Sequence, residues 1–246
     1  MKIFQYQRRA PGRPWYQIAW WDICVFVTNV LLHIIFGARI HGRKNLPLEG
    51  PVLFVSNHQS FLDPVFNGVA ITDRPPRIFA RKSLFRFLPF GLMIRSVGAE
   101  PITGKASDKE AMRKARKELA EGRTMMVYPE GSRTFDGALQ PFKSGIGLLL
   151  KKGNVAVLPM GLDGCFDAWP RTGMPRLFKK IEVEIGKPIP SEELLKDGIG
   201  PAMTRLEREV DELRLRCRSR IRKRSRGRLP APGPGDEPYQ PEGADA

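Results

Sequence analysis

The chain has 246 residues, with 41 Lys and Arg against 26 Asp and Glu, a formal charge of +15. That length suffices for one domain whose core holds without covalent staples. Three scattered cysteines (Cys24, Cys165, Cys217) and three histidines (His33, His41, His58) exclude a disulfide framework, a cysteine-based zinc site and a His-rich metal centre, and suit a reducing compartment.

The charge is concentrated at the ends. Lys2, Arg8, Arg9 and Arg13 open the chain, and nine further basic residues fall between Arg214 and Arg228 with no acid among them. Setting those 13 aside leaves 28 basic groups against 26 acidic ones. The body is therefore almost neutral, and the basic ends suit an anionic surface, either lipid headgroups or nucleic acid.

Residues 1–14 read as a flexible basic N-terminus, and 15–37 as a membrane-associated helix. Ile18 to Phe36 is a 19-residue apolar run, about the length that crosses a bilayer. Asp22, Asn29 and His33 fall on one narrow stripe of a helix, within roughly 40° of each other. A helix lying in the membrane interface or leaning on the rest of the protein can turn that stripe to water or protein, whereas a lone span would bury it in lipid. Trp15, Tyr16, Trp20 and Trp21 gather at its start, as rings do at headgroup level. A cleaved signal peptide is the competing reading, but residues 37–44, GARIHGRK, offer no small-residue cleavage site.

Beyond Gly42 short β-branched runs alternate with polar helical stretches, which predicts an α/β fold, a mixed sheet flanked by helices. Strands are expected at 52–56, 77–80, 124–128, 155–160 and 181–185, and helices at 61–70, 107–121, 143–151 and 202–221. The last helix sets Met203, Leu206, Val210, Leu213 and Cys217 on one core-facing stripe, with its arginines on the other side. Residues 84–98 are apolar but broken by Arg86, Pro89, Gly91 and Arg95, so they read as core or as an apolar wall for an acyl chain. This gives one α/β domain over 38–223, and 224–246, rich in Pro, Gly and acids, reads as a disordered tail.

Two clusters carry chemistry. In VLFVSNHQSFLDPV (52–65) a strand ends near Ser56, and a helix begins near Ser60, a plausible N-cap. The junction turns the chain, so His58 and Asp63 can face each other. A carboxylate on one imidazole nitrogen leaves the other as a general base. In the plainer reading Asp63 complements a helix dipole and His58 is a polar turn residue. In MMVYPEGSRTFDGALQPFKSG (125–145) a strand enters a glycine-containing loop that presents Glu130, Arg133 and Lys143. Arg133 has the fork geometry for a phosphate, Lys143 adds a point charge, and Glu130 anchors the loop or pairs with Arg133. The plainer reading makes Gly131 a turn residue and Arg133–Asp136 a surface pair. No GxxxxGK[ST], GxGxxG or GxSxG pattern occurs, which removes the usual nucleotide-binding and serine-hydrolase readings.

Together these residues resemble the glycerolipid (1-acyl-glycerol-3-phosphate) acyltransferase family. His58-Gln-Ser-Phe-Leu-Asp63 matches its HX4D motif, and Glu130-Gly131-Ser132-Arg133-Thr134 matches its EGTR-type motif with Ser132 in place of Thr. Phe142-Lys143-Ser144-Gly145 matches the FKxG stretch, and Leu158-Pro159-Met160 the apolar-Pro-apolar motif. The likeness covers roughly 38–190. Between the first and third motifs the family places an Arg that helps to hold the substrate phosphate; here Glu100-Pro-Ile-Thr-Gly-Lys105 stands instead, with Lys105 as the available cation.

The resemblance implies an O-acyltransferase at a membrane, and the basic ends agree with the cytoplasmic face of the inner membrane if the apolar segment inserts. His58 and Asp63 would be catalytic, Arg133, Lys105 and Lys143 would hold the acceptor phosphate, and Glu130, Gly131, Ser132 and Thr134 would support the loop. It implies no bound cofactor and no metal. An acyl-CoA or acyl-carrier-protein thioester would be co-substrate, with a lysophospholipid and anionic membrane lipids as partners and no nucleic acid. The readings beside it are an acyltransferase with another acceptor, a non-catalytic lipid-binding descendant, and a nucleic-acid-binding protein using its arginine-rich segment.

Overall fold

A computed structural model describes residues 9–86, 88–102, 107–151 and 154–241. In chain order come helix α1 (Trp15–Phe36), strand β1 (Arg39–His41), β2 (Val52–Ser56), α2 (Asp63–Ala70), β3 (Ile78–Arg81), α3 (Leu88–Ser96), β4 (Ala99–Ile102) and α4 (Ser107–Ala120). Then follow β5 (Thr124–Val127), α5 (Gly147–Leu150), β6 (Ala156–Asp163), α6 (Cys165–Ala168), β7 (Glu182–Ile185), β8 (Ile189–Pro190), α7 (Ser191–Leu194) and α8 (Ile199–Ser225).

The main sheet runs β1-β7-β6-β2-β5, with β8 also pairing β6, and β3 and β4 form a separate parallel pair. β2 sits between β5 and β6 and is parallel to both, with Val55 opposite Val127 and Pro159. All five β2 residues are buried. A strand covered on both faces reads as a continuous apolar run, as VLFVS does. Val52 and Phe54 face one core with Trp21, Val25, Phe36 and Phe66, while Leu53 and Val55 face the other with Leu119, Leu206 and Val210. This is the expected mixed sheet flanked by helices.

α8 lays its predicted stripe across β6: Met203, Leu206, Val210, Leu213 and Cys217 are all buried. The contact is close because Gly161 has no side chain; a Cβ there would lie 2.3 Å from the Arg214 backbone nitrogen.

Two expectations for the basic ends are corrected. Arg214 and Arg218 are not on a solvated face but buried. Arg214 donates to Asp211 Oδ1 at 2.6 Å and to the Gly235 carbonyl, and Arg218 reaches Asp163, Asp236 and the Ala231 carbonyl. Arg220 pairs with Glu184, and Arg224 with Glu182 at 2.7 Å. Residues 228–241, expected to be disordered, supply many of these acceptors and pack along α8. Tyr239 N donates to Asp211 at 2.7 Å. The guanidinium fork explains the difference: its five donors can be met by carbonyls of a returning segment, a possibility that composition does not reveal.

The N-terminus differs likewise. Lys2 and Arg8 lie outside the described residues, but Arg9 clasps both Asp22 oxygens at 2.7 and 2.9 Å, and Arg13 donates to the Pro76 carbonyl at 3.1 Å. Arg9 neutralises the acid that the apolar helix carries. α1 buries Ile18, Trp21, Val25, Leu32 and Phe36 against the domain. It exposes Trp15, Trp20, Ile23, Phe26, Val27, Val30, Leu31 and Ile34 on the remainder of its surface. By length and composition it could cross a membrane, yet one side is committed to the protein. The 84–98 segment contains α3, with Leu88 and Leu92 exposed, and Trp20 Nε1 donates to Ser96 Oγ at 3.1 Å.

Gly161→Ala should destabilise the fold by about 1–3 kcal/mol through overpacking of α8 on β6. Gly200→Ala, where a Cβ meets nothing within 4 Å, should instead be neutral or stabilising by up to about 1 kcal/mol. Urea denaturation of both variants checks the contrast.

Candidate active site

The site lies where β2 and β5 end side by side. β2 hands the chain to His58, and the helix begins at Asp63 instead of being capped by Ser60. The turn brings His58 Nδ1 to 2.7 Å from Asp63 Oδ2. The same oxygen accepts the backbone N–H groups of Gln59 at 2.5 Å and Ser60 at 2.7 Å. Asp63 is fully buried in the first turn of α2, where the helix N-terminus favours its negative charge. With Nδ1 engaged as a donor, proton uptake on this imidazole falls to Nε2.

The ring is fixed from a second side. Tyr128, just past β5, stacks on His58 with centroids 4.3 Å apart and planes 24° from parallel. Burial, and next the Asp63 charge, push the Tyr128 phenol well above its ordinary value, and Asn67 donates to its oxygen at 3.2 Å. Cys165 also sits beside Asp63; burial first and that carboxylate second push its thiol up, so it stays a neutral wall of the site.

The second motif holds the backbone of the first. Glu130 Oε1 accepts the His58 N–H at 2.5 Å, Oε2 accepts Gln140 N–H at 3.1 Å, and Thr134 N–H donates to the His58 carbonyl at 2.9 Å. Both peptide groups of His58 are thus bound by the 130–134 loop. Burial raises the Glu130 carboxyl to about 8 against the two backbone donors that favour its charge. Gly131 is left-handed at φ 72°, and a Cβ there would fall 2.5 Å from Lys143 Nζ, so that amine crosses the loop at the glycine. Thr134 Oγ1 donates to Asp136 at 2.8 Å and accepts Gly137 N–H, which closes the turn.

Arg133 stacks its guanidinium 3.5 Å from the centre of the Phe61 ring, and Arg171 donates to its carbonyl at 3.0 Å. Asp136, its partner in the plainer reading, accepts instead from Thr134 Oγ1 and the Ala138 N–H. Ser132 is exposed, and Lys105 lies outside the described residues. A cleft of about 500 Å³ lined by Arg13, Tyr16, Trp20, Arg77 and Arg95 shares no residue with this site.

Sequence reasoning passed over several supporting side chains. The Asn57 amide takes both the N–H and C=O of Leu162, extending the β2–β6 seam past the strand end. Gln59 Nε2 reaches Asp163 at 3.0 Å and the Gly137 carbonyl at 3.1 Å. Tyr128 could have been found by asking which residue follows the strand parallel to β2.

The Acyltransferase family model matches residues 37–163, which include both motifs. The 1-acyl-sn-glycerol-3-phosphate acyltransferase of Bacillus subtilis (strain 168) is 24% identical over 206 residues, covering 78% of this chain and all of that one. A chloroplastic 1-acyl-sn-glycerol-3-phosphate acyltransferase of Arabidopsis thaliana is 28% identical over 166 residues, 65% of this chain and 46% of the plant protein. This chain thus spans under half the length of the plant relative. The crystal structure of the 1-acyl-sn-glycerophosphate (LPA) acyltransferase PlsC from Thermotoga maritima superposes with a TM-score of 0.59 at 23% identity, over 76% of this chain and 77% of that one. That likeness shows the fold.

The fold keeps Glu130 protonated up to about pH 8, whereas the unfolded chain ionises it near its ordinary value of 4.5. Its contribution to stability is therefore fullest below about 4.5 and declines as pH rises toward 8. In Glu130→Gln this part of the pH dependence should vanish. Urea midpoints at pH 5.5, 7 and 8 test it, and parallel profiles for the two proteins would reassign the titration.

Proposed function

The chain belongs to the Acyltransferase family, and on that basis we propose that it transfers a fatty acyl group from a thioester to the free hydroxyl of 1-acyl-glycerol 3-phosphate, giving phosphatidic acid. The observation that carries the mechanism is the 2.7 Å contact between His58 Nδ1 and a buried Asp63, with the His58 backbone held on both sides. Asp63 fixes the tautomer. His58 Nε2 takes the proton from the acceptor hydroxyl as its oxygen bonds to the thioester carbonyl carbon. The tetrahedral intermediate collapses, the C–S bond breaks, and the departing thiolate recovers the proton from His58. A thioester is already activated, so no covalent acyl-enzyme is needed.

Arg133 supplies the phosphate contact in this reading, with Lys143 or Lys105 adding charge. The Phe61 ring under the guanidinium holds its plane, and a guanidinium held flat in this way bonds a phosphate through its edge. Holding the phosphate places the hydroxyl, a contribution of orientation. The exposed apolar side of α1 supports a seat on the membrane, where the lysophospholipid resides, and the donor is acyl-CoA or acyl-carrier protein. The Arg9–Asp22 pair suits that placement, because it removes a lone charge from the apolar helix. The basic residues near the first helix support a cytoplasmic face for that seat.

A second reading keeps the reaction and changes the acceptor. It is favoured by Glu100–Lys105, where the family's phosphate-holding Arg is replaced.

Acyl transfer from radiolabelled acyl-CoA to 1-acyl-glycerol 3-phosphate in purified membranes tests the proposal. Native protein should form phosphatidic acid, and His58→Ala should lose about 10²–10⁴-fold in rate with its fold intact. Asp63→Asn should fall comparably, whereas Arg133→Ala should chiefly raise KM for the phosphorylated acceptor. Undiminished turnover in a folded His58→Ala protein refutes the mechanism. Turnover only with glycerol 3-phosphate or another lysolipid selects the second reading.

A further inference from the structure

Residues 172–180, most of the connection between α6 and β7, touch none of the reacting groups, and their surface is unusual. Met174, Leu177 and Phe178 are 80%, 56% and 71% exposed, three large apolar side chains within five residues. Phe178 adopts φ 61°, a left-handed backbone that a bulky residue rarely takes, and its ring gains no burial in return. Around these residues stand Arg171, Arg176, Lys179 and Lys180, with no acid from 171 to 180. Asp167, half-buried on α6, is an acid that faces Arg176 and Lys179.

The loop also has a definite position. The Lys180 ammonium lies at Gly37, where a Cβ would meet Nζ at 3.1 Å, and Arg39 N–H donates to the Ile181 carbonyl at 3.2 Å. The loop therefore ends at the C-terminal end of α1, the end that carries the exposed Val30, Leu31 and Ile34. Its other end belongs to the site. Arg176 N–H donates to the Ala168 carbonyl at 2.7 Å, Trp169 packs on Phe61 with centroids 5.3 Å apart, and Ser60 Oγ donates to the Trp169 carbonyl at 2.8 Å.

We propose that residues 172–180 form a second membrane-docking element, which inserts Met174, Leu177 and Phe178 into an anionic lipid bilayer beside α1. The inference rests on the reading of α1 as membrane-seated. Apolar side chains ringed by cations match the boundary between acyl chains and anionic headgroups. Continuity with the exposed side of α1 favours a bilayer over an acidic protein partner. Since the loop is tied through Trp169 to Phe61, and through Phe61 to Arg133, its insertion brings the entrance of the site to the lipid surface. Two anchors, one at α1 and one at the loop, also fix the orientation of the domain, which a single helix leaves free to roll.

The test uses full-length protein carrying Cys24→Ser and Met174→Cys, labelled at the new thiol with an environment-sensitive fluorophore; Cys165 and Cys217 are buried. Vesicles of phosphatidylcholine with phosphatidylglycerol should shift the emission to the blue, and brominated acyl chains should quench it. Water-like emission from protein that sediments with the vesicles overturns the proposal while leaving α1 in the membrane. Failure of the unlabelled protein to sediment overturns both. Phe178→Gly removes the ring and relieves the backbone, so thermal stability without vesicles should hold or rise while vesicle affinity falls about 10–100-fold. Unchanged affinity in that variant, or a blue shift produced equally by acyl-carrier protein in the absence of lipid, would also refute insertion.

Discussion

The site depends on the binding of both peptide groups of His58 by one loop, through Glu130 and Thr134. This is a consequence of topology. β2 and β5 are parallel neighbours, so the loops that follow them leave the same edge of the sheet, and residues 72 positions apart meet. A side chain on a strand-to-helix turn would ordinarily have several backbone conformations open to it. Here the N–H is taken by a carboxyl oxygen, the C=O by an amide, and the imidazole by Asp63 and Tyr128, which together leave one. The cost is a carboxyl group buried at Glu130, held neutral across much of the ordinary pH range.

A second chain of polar contacts carries this order outward. Gln59, next to His58, reaches Asp163 at the end of β6; Asp163 meets Arg218 of α8; and Arg218 meets Asp236 in the C-terminal segment. Burial raises the Asp163 carboxyl and Arg218 lowers it, while the two arginines on Asp236 hold that carboxyl far below its usual range. Such a chain is strong only when complete, because any buried charge left without its partner is costly. The Ala231 carbonyl completes it at Arg218, and the Gly235 and Glu237 carbonyls do the same for buried Arg214 one turn earlier, which gives the last segment a structural part in keeping the site in place.

The elements buried on both faces were legible in the sequence. VLFVS became β2 with unchanged bounds, and the stripe from Met203 to Cys217 became the inner face of α8, because apolar periodicity responds directly to burial. The His58–Asp63 meeting was legible too, since a strand-to-helix turn is the local event that allows it. What stayed hidden depended on partners distant in sequence. Short β1 and β8 have no periodicity to show and exist through pairing with β7 and β6. Glu130 showed its importance only by motif, as nothing local says that its acceptor role is toward His58. The arginines of α8 were misread because a charge run looks alike whether its counter-ions are lipids or carbonyls and acids returned by the same chain.

That misreading bears on how the protein meets a membrane. With Arg218, Arg220 and Arg224 engaged by Asp163, Asp236, Glu182 and Glu184, the basic run of α8 is less available to an anionic surface than its count of cations suggests. Arg9 and Arg13 are likewise engaged, the first with Asp22 and the second with a carbonyl. Binding driven by the basic ends would have to break these contacts, and buried ones most of all. Apolar surface carries no such competing obligation, and the outer residues of α1 stand exposed. The membrane attraction of this molecule therefore follows from hydrophobic area, with cations at its margin setting lipid preference, and it should resist salt that would strip a purely electrostatic attachment.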